Sequence, residues 1–174
     1  IYMSDDQATN AVDPFDVFDF KDPFSLLGDI DAKNVIAFFG LISRVEYAAM
    51  VQGFVNGGAG QRMKVDWLKF AKSMNGKLLA LGSEKVTQSV NYLRIEPPLQ
   101  YMNTAKWEHR VYEAGLVPDA FAILAAKDVR NNLFHGIKLN NPEHARNNDL
   151  IEAASVVFRG CLMACPELNA YYNS

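Results

Sequence analysis

The chain has 174 residues, of which 49% are hydrophobic and 21% are charged, which fits one globular domain with a substantial core and leaves little room for two. Its charge is uneven, because residues 1–31 hold eight Asp and one Lys, a net charge of −7, whereas residues 32–174 carry +4. The overall net charge of −3 therefore conceals a mildly basic body and does not exclude a nucleic-acid partner.

Cysteine, histidine and apolar patterns narrow the class of protein further. Cys161 and Cys165 lie in an apolar helical pattern as small hydrophobes, which favours a reducing cytoplasm. The three histidines show no zinc-binding spacing, so no metal site and no cofactor are predicted. Residues 35–55 could span a bilayer, but Arg44 and Glu46 near the middle would each cost about 2.5–3.5 kcal/mol. A buried central helix, with no membrane contact, is the prediction.

Residues 1–30 are predicted to form an acidic, aromatic-containing extension that precedes a helical domain over residues 31–174. Within it, residues 13–24 interleave acids with aromatics and contain two Asp-Pro breaks, so an extended conformation is expected. Two interpretations remain open. The phenylalanines dock on the body, or the segment is an acidic strap that competes with RNA for a basic cleft.

The first half of the body is predicted to be helical between clear start and stop signals. Asp31 is a plausible N-cap for a long helix that ends near Asn56, before the glycine-rich residues 57–60. That glycine cluster lacks the following Lys of a phosphate-binding loop, so it is interpreted as a flexible connection. Asp66 caps a short helix, and another helical segment spans residues 83–93.

The second half is predicted to contain three longer helices, over residues 99–114, 120–135 and 145–165, with Pro166 marking the end of the last. No segment shows the alternation or the β-branched density of a strand. The expected fold class is therefore all-α, a bundle with long antiparallel helices.

The most informative stretch is residues 129–136, Val-Arg-Asn-Asn-Leu-Phe-His-Gly, at the end of an apolar helix. It places Arg130, Asn131, Asn132 and His135 together. Because unpaired polar groups are expensive to bury, these side chains are expected to line a cleft or an interface.

This stretch resembles the signature of HEPN domains, an Arg followed after four to six residues by a His. Residues 38–48 resemble the early long helix of that family, which carries a polar or acidic position that faces the signature, and Glu46 lies in this stretch. Trp67 and Phe70 follow as in several prokaryotic members, and the resemblance covers roughly residues 32–165. It implies a homodimer that cleaves RNA in the cytoplasm as a toxin, an abortive-infection or an antiviral defence effector, with an antitoxin or regulatory protein as a further partner.

The chemistry suits RNA cleavage through the 2′-hydroxyl without a metal. His135 can act as acid or base, and the Arg130 guanidinium matches the oxygens of the phosphate and can stabilise the charge that develops there. At 100° per residue the two positions stand about 140° apart on a helix, while Asn131 is aligned with His135. A composite site at a two-fold dimer interface would bring both Arg–His pairs to one phosphate. His135 at a helix C-terminus is expected to have a raised pKa.

Several neighbours are candidates for supporting roles. Lys138 is the best candidate for a phosphate contact, and Lys127 and Asn132 are further RNA-binding candidates. Glu46 is interpreted as an ion-pair partner of Arg130 or of Arg44 that orients the site, in preference to a catalytic role.

One departure from the family concerns control of activity. Many toxin members carry a modifiable Tyr two positions after the His, where this chain has Ile137, so control by that modification is not expected. The alternative functions are a non-catalytic module of the same fold that binds nucleotide, RNA or a protein partner, and a purely structural dimerisation bundle.

Overall fold

The computed structural model of the protein describes residues 22, 25–58, 60–101, 106–134 and 144–174. Within these ranges the chain is mostly helical, with six α-helices and four short strands. The expectation of a helical fold is confirmed at this level.

The first long helix, α1, runs over Ala32–Val51 and begins where the sequence predicts. The Asp31 side chain accepts hydrogen bonds from the backbone N–H groups of Lys33 and Asn34, as an N-cap should. The helix ends at Val51 and not near Asn56. Its predicted last residues instead pair as a strand, which satisfies their backbone groups outside the helix.

This pairing forms the first of two small antiparallel hairpins. Strand β1, Val55–Asn56, pairs with β2, Lys64–Val65, so that Val55 lies opposite Val65. The glycine-rich residues that follow β1 therefore belong to the connection of a hairpin.

Two shorter helices follow, and a side chain caps the start of each, at Asp66 as predicted and at Ser83. Helix α2, Trp67–Ser73, starts after Asp66, whose carboxylate accepts from the Lys69 N–H. Helix α3, Glu84–Ile95, starts after Ser83, whose hydroxyl accepts from the Val86 N–H. A 3₁₀ turn over Leu79–Leu81 lies between them.

The predicted helix over residues 99–114 is wrong, and so is the prediction that the chain has no strands. Strand β3, Leu99–Tyr101, pairs with β4, Trp107–His109, in an antiparallel hairpin with Leu99 opposite His109. The local pattern suits a helix, but the cross-strand pairing and the contact of β3 with the next helix override that preference.

Three helices complete the domain. Helix α4 runs over Pro118–Phe134 and α5 over His144–Ala164, close to the predicted bounds. Pro166 does mark the end of α5, but it also begins a further helix, α6, Pro166–Asn173. Proline suits the first position of a helix because its missing N–H would have no partner there.

The core lies where these helices meet. Helix α5 packs against α1, α3, α4 and α6, and α1 also contacts α6. The large, fully buried side chains of the core include Phe38, Ile42, Phe70, Ile123 and Phe158. Arg44 donates to the carbonyls of Tyr171 and Tyr172 and so satisfies the C-terminal end of α6.

Among the described helices, α1 is the one that is long and apolar enough to cross a membrane by length and composition alone. In the fold its apolar face packs into the core, as predicted for a central helix. Cys161 of α5 is a buried free thiol. Cys165, at the start of α6, is a half-buried free thiol.

The end of the N-terminal segment contacts the body. Ile30 is buried and Leu27 packs against the core. Asn148 of α5 accepts a hydrogen bond from the Asp31 N–H and donates one to the Asp29 carbonyl. Residues 27–31 are therefore integrated with the helical domain, whereas residues 1–21 lie outside the described ranges.

Candidate active site

The candidate site centres on Arg130, in the last turns of α4. Its Nη2 atom lies 3.2 Å from Oε2 of Glu46, on α1. The two side chains are largely shielded from solvent, with exposed fractions of 29% and 21%. Of the two ion-pair partners considered for Glu46, the structure therefore has Arg130, while Arg44 is engaged by carbonyls of α6.

Asn131 adds a second contact to the same guanidinium. Nη1 of Arg130 donates to Oδ1 of Asn131 at 3.2 Å. Contacts to two different Arg130 nitrogens restrict the rotation of the guanidinium. The predicted supporting residues Asn131 and Glu46 are thus brought together at Arg130.

The Glu46 carboxyl group has an unusual environment for its charge. Burial raises its pKa above the ordinary value of 4.5, and the nearby Arg130 guanidinium opposes that rise without cancelling it. Its charge is therefore held against a cost of desolvation, as is common for groups at functional sites.

An open cleft of about 380 Å³ borders this ion pair. We call it the hairpin cleft, because the β1–β2 hairpin forms one side of it. Glu46 and Met50 of α1, Trp67 at the start of α2, and Arg130 of α4 form the rest of its lining.

The hairpin contributes cations that the sequence analysis did not select. Arg62, Met63 and Lys64 line the cleft, and all three are exposed. The charged side chains of the lining are therefore the three cations Arg62, Lys64 and Arg130. The one carboxylate is Glu46, so their net charge is +2. The sequence does show two cations at alternate positions just after a glycine-rich stretch. Only the pairing of β1 with β2, however, places these cations at the same cleft as Arg130.

Gly57 explains how this connection closes. Its φ angle is +131°, a conformation that residues with a side chain rarely adopt. A Cβ atom placed there would lie 3.3 Å from the carbonyl oxygen of Arg62. The backbone therefore approaches itself closely at the point where the first of the two cations is placed.

Asn132 faces the protein interior. It is 8% exposed, and its Nδ2 donates to the Leu99 carbonyl at 2.6 Å, which ties α4 to β3. Although the sequence suggests an RNA contact for this residue, Asn132 does not line the hairpin cleft.

Lys127 is also engaged within the protein. Its Nζ lies 2.8 Å from the fully buried carboxylate of Asp128, which also accepts from Arg110 and from the Tyr112 hydroxyl, each at 3.0 Å. Burial, followed by the negative charge of Asp128, raises the pKa of Tyr112. This network anchors the side of α4 that carries Asp128. Arg146, another cation close to the signature in the sequence, likewise donates to the Pro97 carbonyl.

His135 and Lys138, the predicted catalytic histidine and phosphate contact, lie outside the described residues, as does Ile137. His135 is the next residue in the chain after the last residue of α4. Within the described ranges, no group of three or more His, Cys, Asp or Glu side chains is arranged to hold a metal ion.

In comparisons with known proteins, no family model, no curated protein and no solved structure matches this chain. The functional argument therefore depends on the geometry of the site and on the sequence signature.

Proposed function

We propose that the protein is a metal-independent endoribonuclease of the HEPN kind, which cuts RNA through the 2′-hydroxyl at a site shared by two copies of the chain. The observation that carries the proposal is the position of Arg130. Its guanidinium is held by Glu46 and Asn131 at the edge of a cleft with a net positive lining, one helical turn before the end of α4.

In this proposal Arg130 and His135 are the catalytic residues. Arg130 stabilises the charge that gathers on the phosphate, because its planar, permanently charged fork can make two parallel hydrogen bonds to phosphate oxygens. His135 transfers the proton from the 2′-hydroxyl or to the leaving 5′-oxygen. Asn131 and Glu46 act through Arg130, and are therefore positioning residues.

The two-chain site follows from the separation of these residues on a helix. Positions 130 and 135 are about 140° apart at 100° per residue, so one straight helix does not present both on one face. A two-fold axis near the end of α4 would supply an Arg from one copy beside a His from the other. A cytoplasmic toxin or defence effector, restrained by an antitoxin or regulatory protein, is the role that the HEPN resemblance implies.

Incubation of the purified protein with a mixed single-stranded RNA in the presence of EDTA tests the proposal. We expect cleavage by the wild type, with products that end in a 2′,3′-cyclic phosphate, and loss of cleavage in both Arg130→Ala and His135→Ala. Arg159→Ala, a change of an exposed cation on α5, is the matched control and should cleave normally. Cleavage that survives both site substitutions, or that EDTA abolishes, would reject the proposal.

One observation favours a second candidate function, a non-catalytic module that binds RNA or a nucleotide. The Arg130 guanidinium is already engaged by Glu46 and Asn131, so it can hold α4 against α1 beside the cleft without taking part in a reaction. In that case wild type and Arg130→Ala would bind RNA differently but neither would release products.

A further inference from the structure

The β1–β2 hairpin carries two cations whose role the cleavage chemistry does not explain. Arg62 lies in the hairpin connection and Lys64 begins β2, and both line the cleft on which Arg130 borders. Among the described residues, neither has an ion-pair partner. Because Glu46 is paired with Arg130, the two hairpin cations leave the lining with a net charge of +2, which an anionic ligand would neutralise.

The cleft combines this charge with an apolar surface. Met63 is 59% exposed, and it shares the cleft lining with Met50 and Trp67. Trp67 is fixed in place because its ring packs against Phe70 and Phe158, with centroids 5.8 and 5.7 Å away. Cations beside an exposed methionine and two half-buried apolar side chains suit a ligand that has both phosphate and flat apolar groups.

The cleft has the size and openness for such a ligand. Its volume of about 380 Å³ falls at the lower end of the range for small-molecule sites, roughly 300–1,000 Å³. It can therefore admit one or two nucleotides of a flexible strand. A double helix, whose base faces are stacked inside, could not place a base against Met63.

We propose that the hairpin cleft is a binding subsite for single-stranded RNA, in which Arg62 and Lys64 contact backbone phosphates next to the linkage held by Arg130, while Met63 contacts a base. This inference rests on the proposed function, since it takes RNA as the ligand of the same cleft. It adds that substrate recognition is directed to unpaired RNA by a hairpin separate from the Arg–His signature.

Salt dependence of binding tests the phosphate contacts. The ligand is a short fluorescent 2′-O-methyl RNA, which lacks the attacking hydroxyl and stays intact during titration. Each phosphate contact to a single strand contributes about −0.7 to the slope of log K against log salt concentration. Arg62→Ala/Lys64→Ala should therefore flatten the slope by about 1.4, which corresponds to roughly 25-fold weaker binding at 0.1 M salt if affinities converge at 1 M.

Two further variants separate charge from apolar contact. Lys33→Ala/Lys85→Ala removes two exposed cations that do not line the cleft and should keep the wild-type slope. Met63→Ala should weaken binding by the same factor at every salt concentration, with no change of slope. A double-stranded version of the same RNA should bind with a slope that is insensitive to the hairpin substitutions.

Failure of the subsite inference and failure of the proposed nuclease function would give different results. An unchanged slope in Arg62→Ala/Lys64→Ala would overturn the inference, as would an equal loss in the Lys33/Lys85 control. If these substitutions instead altered the sedimentation of the protein without altering RNA binding, the hairpin would be a protein contact and the inference would also be overturned. RNA binding with the expected slopes but no cleavage of natural RNA would retain the subsite and reject the nuclease.

Discussion

Nη2 of Arg130 lies 3.2 Å from Oε2 of Glu46, a residue 84 positions earlier in the chain. This ion pair joins the end of α4 to the middle of α1 beside the hairpin cleft. It orients the guanidinium, yet it also sets a carboxylate against the phosphate that the guanidinium would bind. Which of these effects is larger depends on whether Glu46 is protonated. The contribution of the ion pair can therefore be tested by varying the pH.

Glu46→Gln should change how stability depends on pH. Because burial raises the pKa of Glu46 in the folded chain above 4.5, the folded state binds its proton more tightly than the unfolded state. The stabilisation is complete below pH 4.5 and is lost as the pH rises through the raised pKa. Glutamine does not titrate, so the variant lacks this pH dependence. The free energy of unfolding of the wild type, minus that of Glu46→Gln, should therefore decrease as the pH rises from 4.5 through the raised pKa.

Urea denaturation of both proteins at a series of pH values from 4 to 8 measures this difference. A difference that increases with pH would mean that attraction to Arg130 outweighs desolvation, contrary to the expected direction of the pKa shift.

Gly57→Ala should weaken RNA binding through the hairpin. Alanine at a φ of +131°, with its Cβ 3.3 Å from the Arg62 carbonyl oxygen, forces the connection to move, at a cost of about 1–3 kcal/mol. Gly58→Ala is the matched control, because nothing lies within 4 Å of its Cβ position and its φ is not in the glycine-favouring range. The slope of log K against log salt concentration should become flatter in Gly57→Ala and stay unchanged in Gly58→Ala. Equal slopes in the two variants would contradict the proposed role of the hairpin geometry.

Asn132→Ala should lower stability and leave RNA binding intact. The substitution removes the donor to the part-buried Leu99 carbonyl, at a cost of about 0.5–1.5 kcal/mol. Asn131→Ala, the neighbouring change, removes the contact to Arg130 and should reduce cleavage more than stability. Thermal melts and RNA titrations compare the two, and an Asn132→Ala protein with normal stability but weak RNA binding would restore the sequence-based assignment.

Asp128→Asn should destabilise the fold. It removes the buried charge that Arg110, Lys127 and the Tyr112 hydroxyl share, and breaking a buried pair costs about 3–5 kcal/mol. Tyr112→Phe should cost less, because it removes one hydrogen bond to the same carboxylate and leaves the charge paired with Arg110 and Lys127. Urea denaturation of wild type and the two variants measures the difference. Equal losses in the two variants would mean that the buried charge contributes no more than the hydrogen bond from Tyr112.

Deletion of residues 1–21 should lower stability and leave RNA affinity unchanged. Leu27 and Ile30 pack on the core, and docking of the preceding phenylalanines is the interpretation that the deletion tests. Deletion of residues 1–30 should cost about 2 kcal/mol more, because it also removes buried Ile30. A rise in RNA affinity after the shorter deletion, greatest at low salt, would instead establish the acidic strap.

The local parts of the fold were predictable from short stretches of sequence. Asp31 and Asp66 cap helices as expected, because an N-cap is decided by a side chain and the backbone two or three residues later. The polar cluster at the end of α4 was recognisable for the same reason, since helical periodicity alone places Arg130 and Asn131 near the end of an apolar helix.

The sequence by itself determined where α1 and α2 begin, which faces of the long helices are apolar, and which residues could perform chemistry on a phosphate. Only the tertiary structure decided that residues 99–101 pair with residues 107–109, that Asn132 turns inward to Leu99, and that Arg62 and Lys64 share a cleft with Arg130. These features depend on how separate segments pair and pack. Packing against a shared core stabilises them, loop closure costs entropy, and no local pattern of residues encodes that balance.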